Sequence, residues 1–215
     1  MLFNQDKIIL DLCGGTGSWS RPYRDAGYDV RVITLPENDV CMYKPPIERK
    51  MPFDIYGILA APPCTHFSNS GAQYWNEKDI DGRTRTDLAI VSACCRIILA
   101  SDPVFWAIEN PVGRLREWMG PAIYSFNPCD FGGYLKPDEY TNKLAPQDAY
   151  TKKTLLWGNF KRPLKRPVMP IFVQAANGDN YSPINMATGG KSVTTKTIRS
   201  QTPKGFARAF FEANQ

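Results

Sequence analysis

Four short apolar runs, each closed by a turn-forming motif, constrain this chain more than anything else in it. Lys7-Ile-Ile-Leu-Asp-Leu12 leads into the glycine-rich turn Cys13-Gly-Gly-Thr-Gly-Ser18 and a helix through Arg24. Tyr28-Asp-Val-Arg-Val-Ile-Thr34 follows, entered through Gly27. Phe53-Asp-Ile-Tyr-Gly-Ile-Leu-Ala60 runs into Ala61-Pro-Pro-Cys64, and after an apolar helix over 88–100, closed by Asp102-Pro103, comes Phe105-Trp-Ala-Ile-Glu109. Strands alternating with helices at this spacing predict βαβ units, hence an α/β fold with a mostly parallel sheet and helices on both faces.

A chain of 215 residues can fill one core, or one core with a small appendage. No stretch approaches the roughly 18 uninterrupted apolar residues of a membrane helix. The N-terminus has no signal-peptide architecture, so a soluble, cytoplasmic protein without a membrane partner is expected. The formal charge of +5 suits a polyanionic partner without requiring one. Six cysteines occur with a single histidine and no Cys-x-x-Cys pair, so zinc-ligand spacing is missing and no metal is expected. All six are expected as reduced thiols, with Cys94-Cys95 in a helical core. After Pro111 the texture changes to Pro, Gly and Asn with short apolar runs, which predicts irregular loops and short antiparallel strands. Order returns at the C-terminus, where Thr202 reads as a helix N-cap and Pro203 as the first helical residue. Phe206, Ala209, Phe210 and Ala213 form that helix's apolar face.

The chemistry is concentrated at the strand ends. Asp11-Leu-Cys-Gly-Gly-Thr-Gly17 lets backbone approach a ligand closely, but it has neither the full dinucleotide fingerprint nor a phosphate-loop lysine. A strand-end acid followed by such a turn is what an S-adenosylmethionine site needs. Cys64 follows two prolines that fix the backbone and hold the sulfur in one place. A single cysteine is ordinarily a small hydrophobe; here the strand, the rigid turn and the polar residues after it point to a nucleophile. Glu109, following four apolar residues, is expected partly out of water, able to donate as well as accept a proton.

These motifs in this order, Asp-Leu-x-Gly-Gly-x-Gly, Pro-Pro-Cys and Glu-Asn-Pro, resemble the cytosine-C5 DNA methyltransferases that use S-adenosylmethionine, in a compact, phage-like form. Asn38-Asp39-Val40, Arg85-Thr-Asp-Leu88, Lys152-Lys-Thr-Leu-Leu-Trp-Gly158 and the stretch from Arg199 to Phe210 extend the likeness over most of the chain. The resemblance implies a Rossmann-like methyltransferase fold with a catalytic domain over 1–155, a reduced recognition lobe over 156–198 and a C-terminal helix over 199–215 that packs back on the catalytic domain. It also implies methyl transfer to C5 of cytosine in DNA through a Cys64–C6 adduct, with Glu109, Asn110 and Lys153 completing the catalytic set. Cofactor contacts would fall to Asp11, Cys13, Gly14, Gly15, Thr16, Gly17, Glu37, Asp39, Val40 and Pro62. Nucleic-acid contacts would fall to Ser68, Arg83 and Arg85.

The chain departs from the family pattern in places. Thr65 stands where Gln commonly follows the cysteine. The second strand lacks the usual terminal acid, leaving Glu37 as its substitute and opening the adenosine side to a derivative of the cofactor. Lys152 and Lys153 replace arginines and cannot make the planar bidentate contact. The short lobe leaves room for a sequence preference of a few base pairs at most, or for a partner that supplies specificity. A monomer is expected. Asn69–Thr86 reads as a solvated face or as a lid over substrate phosphates, and Trp118 and Trp157 read as core. His66 lies too near Cys64 in sequence for a protease relay. Two rival readings remain: the same chemistry on RNA or a free cytosine nucleotide, and a non-catalytic nucleic-acid-binding relative.

Overall fold

The computed structural model describes residues 3–45, 55–142, 144–175, 178–186 and 193–215. Phe53 and Asp54, at the head of the third predicted strand, lie outside them. The described chain divides into two compact units, residues 1–125 with 154–160, and residues 126–153 with 161–215.

The first unit is α/β and holds a six-stranded, mostly parallel sheet. Its elements are β1 (Ile8–Leu12), α1 (Arg21–Asp25), β2 (Asp29–Ile33), β3 (Ile55–Ala60), α2 (Trp75–Ile80), α3 (Arg83–Ser101), β4 (Phe105–Pro111), α4 (Arg116–Met119), β5 (Tyr124–Phe126) and β6 (Thr154–Asn159). The strand order is β2-β1-β3-β4-β6-β5. β2, β1, β3 and β4 run parallel, with Leu12 level with Ile33 on one side and Ala60 on the other, and Ala60 level with Ile108. β6 runs antiparallel to β4, so its first residue, Thr154, sits opposite Pro111.

β1 crosses to β2 on one side and β3 crosses to β4 on the other, so the order reverses between β1 and β3. Right-handed crossovers then put α1 and α3 on opposite faces. The packing agrees. Val91, Cys94 and Ile97 of α3 share a core with Leu10, Ile58 and Ile108. Tyr23 of α1 instead stacks on Phe105 at 5.8 Å, and Phe105 lies beside Gly57 in the register. Such a reversal leaves a crevice at the carboxyl ends of β1 and β3, where open α/β sheets bind ligands.

Asn69–Thr86 folds as a 3-10 turn over Asn69–Tyr74, then α2, then the first turn of α3, which begins ahead of the apolar run at Leu88. Trp157 is core, but Trp118 is 46% exposed. Its ring covers Phe67 and the Arg114 guanidinium from outside, because the short α4 carries it along the surface.

The second unit holds a 3-10 turn over Pro128–Tyr134, the two-residue strands β7 (Val173–Gln174) and β8 (Asn180–Tyr181), and the helices α5 (Pro183–Met186), α6 (Val193–Ser200) and α7 (Lys204–Ala213). Phe206 of α7 stacks at 4.0 Å on Phe126, the last residue of β5 and the first of this unit, and meets Phe131 at 5.4 Å, so the helix packs within this unit. Each buried ring contributes on the order of 1.5–3 kcal/mol. The N-cap of α7 is Pro203, not Thr202. Tertiary partners supply the cap instead: Lys204 N–H donates to Thr141 Oγ1 at 2.6 Å and Gly205 N–H to the Asp148 carboxylate at 3.1 Å.

Candidate active site

The turn after β1 is built around a buried acid. Asp11 is fully buried and accepts a hydrogen bond from Ser20 Oγ at 2.5 Å through one oxygen. The other oxygen, Oδ1, has no partner among the described residues. Burial pushes the Asp11 carboxyl up to about 6, against smaller opposing effects from Ser20 and Arg24. Gly14 lies so close over this carboxyl that a Cβ there would collide with it. Cys13, Gly15 and Gly17 take positive φ, and Gly17 N–H closes the turn on Gly14 O at 2.9 Å. Thr16 is exposed at its tip. A hydrogen bond from the Cys94 thiol draws Cys13 down and holds Cys94 up.

An orphaned, buried carboxylate oxygen under a glycine turn fits the ammonium of an S-adenosylmethionine methionine moiety. The residues expected on the adenosine side form no comparable cradle. Glu37 is exposed, the Asp39 carboxylate accepts its own loop's Cys41 N–H at 2.9 Å, and the Val40 side chain joins the core.

The turn after β3 carries Cys64, half-buried. Its carbonyl accepts N–H groups from Phe67 and Ser68 at 3.0 and 2.9 Å, which winds the chain tightly just past the thiol. At the end of the neighbouring β4, Glu109 is half-buried and Asn110 fully buried. Asn110 Nδ2 donates to the Pro62 carbonyl at 3.0 Å, tying the Glu-Asn-Pro strand end to the Pro-Pro-Cys turn. Ser68 bridges Gly113 one turn on, and Gly113 is so near Phe67 O that no side chain fits there.

Of the other expected residues, Lys153 is exposed and directly precedes Thr154, the residue opposite Pro111. Arg85 is exposed on α3, and Arg83 is ion-paired with Asp81 and Glu77.

Sequence reasoning missed the group beneath the Cys64 turn. Arg114 is 6% exposed and makes a bidentate pair with Asp79 at 2.7 and 2.8 Å, plus a bond to Thr84 Oγ1 at 2.7 Å. Those contacts hold the Asp79 carboxyl down at about 2. Lys78, equally buried, donates to Thr65 O at 3.0 Å. His66 Nε2 lies 3.9 Å from Asp87, whose carboxyl burial pushes up. The signal was faint. Arg114 follows Glu-Asn-Pro-Val-Gly directly, and only its tertiary partners distinguish it from a surface arginine.

Comparison with known proteins adds little. No family model matches the sequence, and no curated protein matches it. A solved Escherichia coli structure, described as a candidate DNA modification methyltransferase encoded within a prophage, is similar at a TM-score of 0.44 and 18% identity. The match covers 75% of this chain and 52% of that one, so this chain spans about half of its length. A likeness at that level does not inform on activity.

Proposed function

We propose that this protein transfers a methyl group from S-adenosylmethionine to C5 of cytosine in DNA, through a covalent bond between Cys64 and C6. The observation that carries the reading is the Asn110–Pro62 hydrogen bond. It joins the Pro-Pro-Cys turn to the Glu-Asn-Pro strand end beside the crevice that contains the Asp11 turn. A thiol, a carboxylate and a glycine turn over an acid with one unpartnered oxygen thus come to one end of the sheet, each at the end of a parallel strand.

Cytosine C5 is a poor nucleophile until something adds at C6. The Cys64 thiolate adds there, while Glu109 hydrogen-bonds or protonates N3 and holds the exocyclic amine, so electron density reaches C5. Cysteine suits this step because it is both a strong nucleophile and a good leaving group. When bound, S-adenosylmethionine supplies an electrophilic methyl group. Loss of the C5 proton and departure of Cys64 then restore the aromatic ring. Asp11 and the backbone at Gly14–Gly17 bind the methionine end, and Asn110 keeps the Cys64 turn aligned with Glu109. In duplex DNA the base must first leave the stack, at a cost of a few kcal/mol. With a short recognition lobe, the sequence preference covers a few base pairs at most.

The test is trapping on 5-fluorocytosine, from which the C5 substituent cannot be lost. Incubation with S-adenosylmethionine and fluorinated duplex DNA should give a denaturant-stable adduct that maps to Cys64 and vanishes in Cys64→Ala. Labelled methyl transfer should favour DNA over tRNA and dCMP. Transfer at a normal rate by Cys64→Ala would overturn the mechanism, and preferential labelling of tRNA or dCMP would overturn the substrate.

A further inference from the structure

The backbone just past Cys64 is held at every carbonyl. Cys64 O takes the N–H groups of Phe67 and Ser68. Thr65 O takes Lys78 Nζ at 3.0 Å, His66 O takes Arg114 Nε at 3.3 Å, and Phe67 O takes the Arg114 backbone N–H at 2.9 Å. Upstream, Pro62 O takes Asn110. Two of these five acceptors are served by Arg114, one through its side chain and one through its backbone N–H, and one by Lys78. Both cations are 6% exposed, a rare position for either residue type without a specific task.

The Arg114 guanidinium is itself fixed. Asp79 grips it from α2 with two bonds, Thr84 binds it from α3, and its Cζ lies 4.9 Å from the Trp75 ring centroid and 5.6 Å from that of Trp118. A planar fork bonded to α2 and α3 and flanked by two indole rings has little freedom left, so the position of the His66 carbonyl it also holds is passed rigidly to α2 and α3. Lysine at 114 would keep the charge and lose the fork.

We infer that Arg114, with Asp79 and Lys78 as supports, is a positioning residue that sets the place of the Cys64 sulfur for attack. The inference rests on Cys64 being the nucleophile of the proposed reaction. Arg114 touches no reacting atom, and it acts by fixing the main chain on which the thiol stands. A misplacement of about 1 Å is enough to cost on the order of 100-fold in rate.

The variants are Arg114→Lys, Asp79→Asn and Lys78→Met. Asp79 has a half-exposed side chain, so its variant removes half the grip without opening a cavity and remains informative if Arg114→Lys folds poorly. Each is followed by the rate of 5-fluorocytosine adduct formation at saturating S-adenosylmethionine, by cofactor affinity, and by the pH profile of Cys64 alkylation with iodoacetamide, read by mass spectrometry. Positioning predicts a 10- to 100-fold slower adduct step and a changed alkylation profile, with cofactor affinity within twofold of the parent. Equal losses in cofactor affinity and adduct rate would mean a merely structural role and would overturn the inference, as would parental adduct and alkylation behaviour. The alkylation arm needs no substrate. If the parent forms no adduct, the proposed reaction fails, and the alkylation profile still decides whether Arg114 governs the thiol.

Discussion

Asn110 reaches from the end of β4 to the carbonyl of Pro62 at the end of β3, and this 3.0 Å hydrogen bond is fully buried. β3 and β4 pair as far as Ala60 and Ile108, and the segments that follow them are tied together only where something bonds across. Here a side chain that can reach over the strand end and donate does so. The thiol two residues after Pro62 and the carboxylate one residue before Asn110 are thereby held on a common support.

Asn110→Ala removes that bond and leaves Pro62 O unpaired, but it also deletes a buried Oδ1 that has no partner among the described residues. The two effects oppose each other, so the expected loss is about 1–2 kcal/mol. It should show as a lower urea midpoint with an unchanged slope. Adduct formation should fall further than stability alone explains. An unchanged midpoint together with an unchanged rate would mean that the bond positions nothing.

Asp11 makes a pH prediction. Its carboxyl rises from 3.8 to about 6 on folding, so between those values the folded chain binds the proton more tightly than the unfolded one. Stability contributed by this group therefore falls as pH rises through that window, by about 3 kcal/mol in all. Asp11→Asn should make the ligand-free protein more stable at pH 8, by about 1–3 kcal/mol once the new buried amide is counted, and flatten its stability between pH 4 and 6. The same variant should weaken S-adenosylmethionine binding at least about tenfold, a trade of function against stability. Chemical denaturation at pH 5 and pH 8 beside calorimetric titration checks both halves.

Gly14 and Gly15 should behave differently. A methyl at Gly14 strikes the Asp11 carboxyl, so Gly14→Ala should destabilise the ligand-free fold by roughly 1–3 kcal/mol. At Gly15 nothing stands within 4 Å, and only the φ of +53° opposes a side chain. Gly15→Ala should cost about 1–2 kcal/mol of strain, with a selective loss of cofactor affinity because ligand atoms would occupy the open space. Equal affinity in the Gly15 variant would place the cofactor elsewhere.

Asp148 is the corresponding fixed point of the second unit. It is fully buried, takes the Thr141 hydroxyl at 2.9 Å and the Gly205 N–H at 3.1 Å, and has a φ of +50°. Asp148→Ala loses a charged acceptor at the start of α7 and puts alanine in a left-handed conformation, for an expected loss of about 2–4 kcal/mol. Asp148→Asn keeps an acceptor and tolerates that backbone, so it should retain most of the stability. Denaturation followed by far-ultraviolet circular dichroism separates the two.

Much of the first unit was readable because its signals are local. The apolar runs ending at Leu12, Thr34, Ala60 and Glu109 became β1 to β4, with ends within a residue or two, and Asp102 does close α3 in a left-handed conformation. Periodicity, proline and glycine act on their own neighbours, so one sequence suffices to read them. The stretch over 69–86 was harder, since its polar residues look solvated. Lys78 and Arg114 bury their charges only because Thr65 O, Asp79 and Thr84 arrive from elsewhere in the chain.

The sequence by itself determined the α/β class, the strand ends and the residue types at them: an acid before a glycine turn, a thiol after two prolines, a carboxylate before Asn110. What only the tertiary structure decided is how those ends are joined. The Asn110–Pro62 bond, the Arg114 fork and the Asp148 cap each link groups far apart in sequence. A hydrogen bond forms wherever geometry brings a donor to an acceptor, and it leaves no mark on the periodicity of either segment.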